Sequence, residues 1–90
     1  MTVRFTPDAQ ADIDAIFNYL SDRNPSAAQR VRAKLRSDTE RLRAFHEVRH
    51  ETDVPGVRVV VDSRYPYLIF YTVEGDDVVV LHVRHAARER

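Results

Sequence analysis

The sequence predicts an α+β fold of order β-α-α-β-β-β, an N-terminal helical hairpin packed on a small, mostly antiparallel sheet of RelE/ParE-like layout. Three observations predict it. The first half carries two apolar stripes at helical spacing, each opened by a capping residue followed by proline. The second half carries three β-rich runs divided by turn residues. Ninety residues suffice for one domain, so 1–90 is expected to be a single unit.

The opening Thr2-Val3-Arg4-Phe5-Thr6 alternates and reads as a short strand. Thr6-Pro7 then supplies a hydroxyl at the N-cap and a proline at the first helical position. Asp8 and Asp12 follow near the positive end of the helix dipole. Ile13, Ile16, Phe17 and Leu20 fall at i, i+3, i+4 and i+7, which sets a helix over 7–22. Asn24-Pro25 starts a second helix by the same logic. At 100° per residue, Ala28, Leu35 and Leu42 cluster within about 60° of Val31. Arg30, Lys34 and Arg41 flank one side of that stripe; Arg32, Arg36 and Arg43 flank the other. Asp38 falls close to the stripe, with two readings: a pair with Lys34 or Arg41 along the helix, or a salt bridge to an arginine on the sheet.

Residues 46–56 show no period and read as a loop, and strands are expected over 57–62, 67–73 and 78–84. Strict alternation sets Tyr67, Ile69, Tyr71 and Val73 against Leu68, Phe70 and Thr72. In the last run it sets Val79, Leu81 and Val83 against Val78 and Val80. Both faces of these central strands are apolar, while a two-helix hairpin covers only one. The second face is expected either to form an exposed apolar patch for a partner or to lie under the 46–56 loop and the C-terminal tail. The core is thin for a chain this short, so the isolated protein is expected to expose apolar surface.

Charge and composition exclude several classes. Net charge is zero, which argues against free nucleic-acid binding, but it is unevenly placed: 1–23 sums to −2 and 24–45 to +4. Without cysteine there is no disulfide framework, thiolate zinc site or cysteine nucleophile. No apolar run is long enough for a membrane span, no secretory leader opens the chain, and a cytoplasmic location is expected. His46-Glu47-Val48-Arg49-His50 matches the letters of a zinc-protease helix but lacks a stripe to dock one, and no metal or other cofactor is expected. His82 and His85 should point to opposite sheet faces, with no serine, tyrosine or carboxylate placed by sequence to complete a catalytic site. Two glycines, Gly56 and Gly75, cannot form a phosphate loop. Arg58 and Arg84 are expected to share one sheet face, as a rim for carboxylates or phosphates or as a solvated edge.

Several segments together resemble the ParE branch of the ParE/RelE toxin superfamily. They are Thr6-Pro7-Asp8-Ala9, Tyr19-Leu20, Asn24-Pro25-Ser26-Ala27-Ala28, Gly56-x-Arg58, Tyr65-Pro66-Tyr67-Leu68-Ile69-Phe70-Tyr71 and Val80-Leu81-His82-Val83-Arg84-His85-Ala86-Ala87-Arg88. The resemblance spans almost the whole chain. It implies the toxin half of a type II toxin–antitoxin pair of the plasmid-stabilisation type, neutralised in a hetero-oligomer by a ParD-like antitoxin. It further implies a DNA gyrase poison that acts by binding, without a catalytic residue. The alternatives are a ribosome-dependent mRNA endonuclease of RelE type and an inactive interaction module. The nuclease pattern wants basic residues on the second strand and an arginine three before the third-strand tyrosine. Here those positions hold Val59, Val60, Val61 and Leu68, and no tyrosine follows Arg88. For the antitoxin the candidate residues are Arg30, Val31, Lys34, Leu35, Arg41 and Leu42 on the second helix, with Arg58, Leu68, Phe70, Val80 and Arg84 on the sheet. Arg58, Tyr71, His85 and Arg88 are the candidate target-binding or family-signature residues.

Overall fold

The computed structural model describes residues 1–48 and 50–88, with Val48 and Arg88 described by backbone alone. The chain runs β1 (Thr2–Phe5), α1 (Pro7–Ser21), α2 (Pro25–Phe45), β2 (His50–Glu51), β3 (Arg58–Val61), β4 (Tyr67–Glu74) and β5 (Asp77–His85). Single 3₁₀ turns occupy His46–Val48 and Ala86–Arg88. The strands form one sheet in the order β1-β5-β4-β3-β2. β1 lies parallel to β5 and the other neighbours are antiparallel. The expected loop at 46–56 therefore needs correction: it holds a helical turn and a two-residue strand whose register pairs His50 with Val59 and Glu51 with Arg58. A strand of two residues is too short to show a period.

Both helix starts form as their sequences dictate. Asn24 accepts the Ala27 N–H at 3.1 Å. Thr6 does more. Its hydroxyl accepts the Ala9 N–H at 3.1 Å and donates to the Leu81 carbonyl at 3.0 Å, while its own N–H donates to the Val80 carbonyl at 3.0 Å. One residue thus ends β1, caps α1 and ties both to β5. At that point β5 bulges: Tyr71 pairs with Val80 and Phe70 with His82, leaving Leu81 extra. The bulge overturns the expected alternation. Val83 does not side with Leu81; it joins Val78 and Val80 in the core, because one inserted residue reverses the parity of everything after it.

The core lies between the helices and one sheet face. Ala9, Val31, Leu35 and Leu42 of the helices meet Val60, Ile69, Tyr71, Val78, Val80 and Val83. Beneath α2 sits a charged cluster. The Lys34 Nζ lies 2.7 Å from the Asp38 carboxylate and 3.1 Å from Asp62 in the turn after β3. The Asp62 side chain is fully buried and also accepts the Arg64 and Tyr65 amides at 2.7 Å each. Of the two readings for Asp38, the pairing with Lys34 holds, but its cross-link to the sheet runs through an aspartate rather than an arginine.

Candidate functional site

On the face away from the helices, Leu68, Phe70 and Thr72 of β4 lie half-buried beside Leu81 and His82 of β5. The loop after β2 folds over part of this surface, held where the Thr72 hydroxyl donates to the Gly56 carbonyl at 2.8 Å. A cleft of about 490 Å³ remains, lined by Val54, Val57, Phe70, Leu81, His82 and Arg84. The outcome lies between the two expectations: the loop narrows the apolar patch to a cleft and leaves Val61 and Val73 in the open.

Asp12 organises the cleft's end. Past the bulge β1 has left the sheet, so β5 has no strand beside its outer edge. The Asp12 carboxylate on α1 takes over there, accepting the Val83 N–H at 3.0 Å. The same carboxylate lies 3.3 Å from the His82 Nδ1 and 3.6 Å from the Arg84 guanidinium. Sequence reasoning placed no carboxylate near His82. The structure corrects that, because Asp12 and His82 are 70 residues apart and meet only through the β1–β5 pairing.

Around the corner, His85 faces the helices, as expected opposite to His82. Its ring meets Tyr67 edge-on at 5.5 Å, and its Nδ1 accepts the Ala87 N–H at 3.2 Å, which sets the direction of the final turn. His85 and Tyr67 line a groove of about 710 Å³ with Tyr19, Leu20, Val83 and Ala87. The side chain of Arg88 lies outside the described residues.

Several candidate residues are corrected by their placement. Val31, Leu35, Leu42 and Val80 are core residues, at most 5% exposed, and offer no surface to a partner. The stripe that marks a helix's partner-seeking face is the stripe its own sheet buries. Tyr71 is fully buried, and its hydroxyl donates to the His46 carbonyl at 2.7 Å, closing the end of α2 rather than facing a target. Lys34 is held by Asp38 and Asp62 and is no part of an open basic row. Arg58 and Arg84 do not share a face: Arg58 pairs with Tyr71 on the helix side, reaching the Glu47 carbonyl at 3.2 Å, whereas Arg84 pairs with Leu68. Arg30 and Arg41 are exposed on α2, and Leu68, Phe70 and Arg84 remain at the cleft. His46 opens a 3₁₀ turn and His50 lies on β2, so no helical face carries both.

Comparison with known proteins agrees with this architecture. The family model of the ParE toxin of type II toxin–antitoxin systems, parDE, matches residues 3–90. Toxin RelE2 of Caulobacter vibrioides is 37% identical over 87 residues, covering 96% of each chain. A chain of the chromosomal ParDE toxin–antitoxin system from P. aeruginosa aligns with a TM-score of 0.85 at 25% identity, over 94% of this chain and 95% of that one. The conserved hypothetical protein HP0894 from Helicobacter pylori, at 17% identity and a TM-score of 0.60, covers 97% of this chain and 96% of its own and shares the fold. With a family match across almost its full length and the β-α-α-β sheet topology to go with it, the chain belongs to the ParE toxin family of type II toxin–antitoxin systems.

Proposed function

We propose that this toxin poisons DNA gyrase by binding and is held inactive by a ParD-like antitoxin. The observation that carries the binding mechanism is the character of the open face. Where a RelE-like nuclease would present cations, β3 presents Val59 and Val61, and β4 presents Leu68. Metal-independent RNA cleavage needs a base for the 2′-hydroxyl and cations for the developing phosphoryl charge, and an apolar strand supplies neither.

The contact among His82, Asp12 and Arg84 favours a second reading. A histidine beside a carboxylate at the mouth of a cleft is a plausible acid–base pair, and its arginine neighbour could bind phosphate. Induction without antitoxin separates the two. Gyrase poisoning gives DNA-damage signalling and filamentous cells with intact message; a nuclease gives early collapse of translation and mRNA cut at the ribosome. Normal growth despite strong expression would instead identify an inactive interaction module.

The histidines give a residue-level test. His82→Gln and His85→Gln each alter one hydrogen bond, so a binder should lose about 0.5–3 kcal/mol of target affinity, a graded effect. A nuclease that loses its general acid or base should fall about 100-fold or more in rate. A His82→Gln protein that folds and binds antitoxin normally, yet has lost all toxicity, would establish the enzyme.

A further inference from the structure

The outer edge of β1 is an open flank of the sheet. Thr2 and Thr6 donate their N–H groups to the Asp76 and Val80 carbonyls, at 3.3 and 3.0 Å. The even-numbered residues therefore turn their backbone toward β5, and the N–H and C=O of Val3 and Phe5 point outward. Among the described residues no strand lies beside them. Sheets usually guard such an edge with proline, a bulge or a free charge. β1 has none of these. Its one charged residue, Arg4, sits on the opposite face and is held by Glu74 at 3.2 Å and Asp77 at 2.9 Å.

Beside this edge runs a groove of about 360 Å³, walled by Val3 and Phe5 of β1, Ile13 of α1, and Leu35, Arg32 and Arg36 of α2. Phe5 is 39% exposed at its mouth, and Met1 is 42% exposed just beyond. At 100° per residue, Arg32, Arg36 and Arg43 fall within about 40° of one another, a basic row parallel to the groove. Arg43 is paired with Glu40 at 3.6 Å, while Arg36 makes no ion pair among the described residues. Unpaired backbone, an apolar slot and a row of guanidinium groups thus lie side by side.

We propose that an extended, acidic segment of the antitoxin adds to the sheet along β1, an inference that rests on reading this protein as one half of a toxin–antitoxin pair. The segment's backbone bonds to the outward groups of Val3 and Phe5. An apolar side chain enters the slot against Phe5 and Leu35, and carboxylates on the segment meet Arg32 and Arg36. A second copy of this chain is a poorer occupant, because pairing edge to edge would set two basic rows together.

Amide hydrogen exchange on the full chain, alone and with the product of the reading frame adjacent to its gene, tests the assignment. Binding should slow exchange at Val3 and Phe5 at least tenfold. Val3→Pro removes only an outward N–H and leaves the β1–β5 ladder intact, so it should weaken binding tenfold or more. Arg36→Glu should slow association and reduce its salt dependence. Tight binding with Val3 and Phe5 unprotected overturns the docking edge and leaves the toxin–antitoxin reading standing. Absence of any binding removes both. Protection that grows with the concentration of this chain alone assigns the edge to a second copy and overturns the proposal. The wild-type exchange decides the matter even if Val3→Pro fails to fold.

Discussion

Replacing Lys34 with methionine is expected to destabilise the fold by about 3–5 kcal/mol near pH 7, the range for removing one partner of a buried ion pair. Methionine keeps most of the aliphatic stem, so the loss isolates the ammonium. That ammonium is a shared counter-ion for two carboxylates, one 8% exposed and the other fully buried. Without it Asp62 keeps its charge, anchored by the Arg64 and Tyr65 amides, but loses its one cation. A domain of this size has only about 5–15 kcal/mol of stability, so the variant should sit near its unfolding threshold. Urea denaturation measures this directly. A loss below about 1 kcal/mol would mean the cluster behaves like an exposed surface pair.

The same cluster makes stability depend on pH. Burial, reinforced by a hydrogen bond shared with Asp62, pushes the Asp38 carboxyl from its usual 3.8 up to about 6, against the pull of Lys34. The Asp38 Oδ2 is buried and meets no donor, as fits an oxygen that carries the proton itself and gives it to Asp62. Burial would raise Asp62 too. Hydrogen bonds from Asp38, the Tyr65 and Arg64 amides and Lys34 outweigh burial and hold it below the ordinary carboxylate range. The signs follow. A raised pKa contributes stability that is complete below 3.8 and is lost as pH rises through about 6. A lowered one contributes stability present above 3.8 and lost as pH falls through the folded-state value. The pair should therefore stabilise most between about pH 4 and 6, with a loss of up to about 3 kcal/mol by pH 8.

Asp38→Asn places an amide donor where the protonated carboxyl stands, and its oxygen still accepts from Lys34. Its stability should be flat from pH 5 to 8, and at pH 8 it should exceed the wild type by about 2–3 kcal/mol. Parallel curves for the two proteins across that range would contradict a shared proton.

Local chemistry was the legible part of this chain. Thr6-Pro7 and Asn24-Pro25 start helices because capping is decided within three residues, and the β4–β5 hairpin turns at Gly75 because a positive φ there suits glycine. What depended on distant partners was not legible. The Val78–Val79–Val80–Leu81 run is apolar throughout, so no alternation reveals the bulge, and the bulge decides which way Val83, Arg84 and His85 face. Lys34 and Asp62 meet across 28 residues and Asp12 and His82 across 70, distances over which spacing carries no signal. The candidate site was half-legible for a related reason. An apolar stripe says that a helix face is covered without saying by what, so Val31, Leu35 and Leu42 could be read as partner anchors although their own sheet covers them. The residues that keep a surface, Phe70, Leu68 and Arg84, were those named from the sheet's excess of apolar positions.

The claim that this toxin acts by binding gyrase is tested most directly with purified gyrase, supercoiled DNA and ATP. Adding the protein should accumulate linear DNA in the form of trapped, protein-linked cleavage complexes. Adding the antitoxin first should prevent it, and His82→Gln should shift the dose required without abolishing the effect. Gyrase left unpoisoned, with programmed ribosomes yielding cut mRNA that His82→Gln no longer cuts, would contradict the account and make this protein a nuclease.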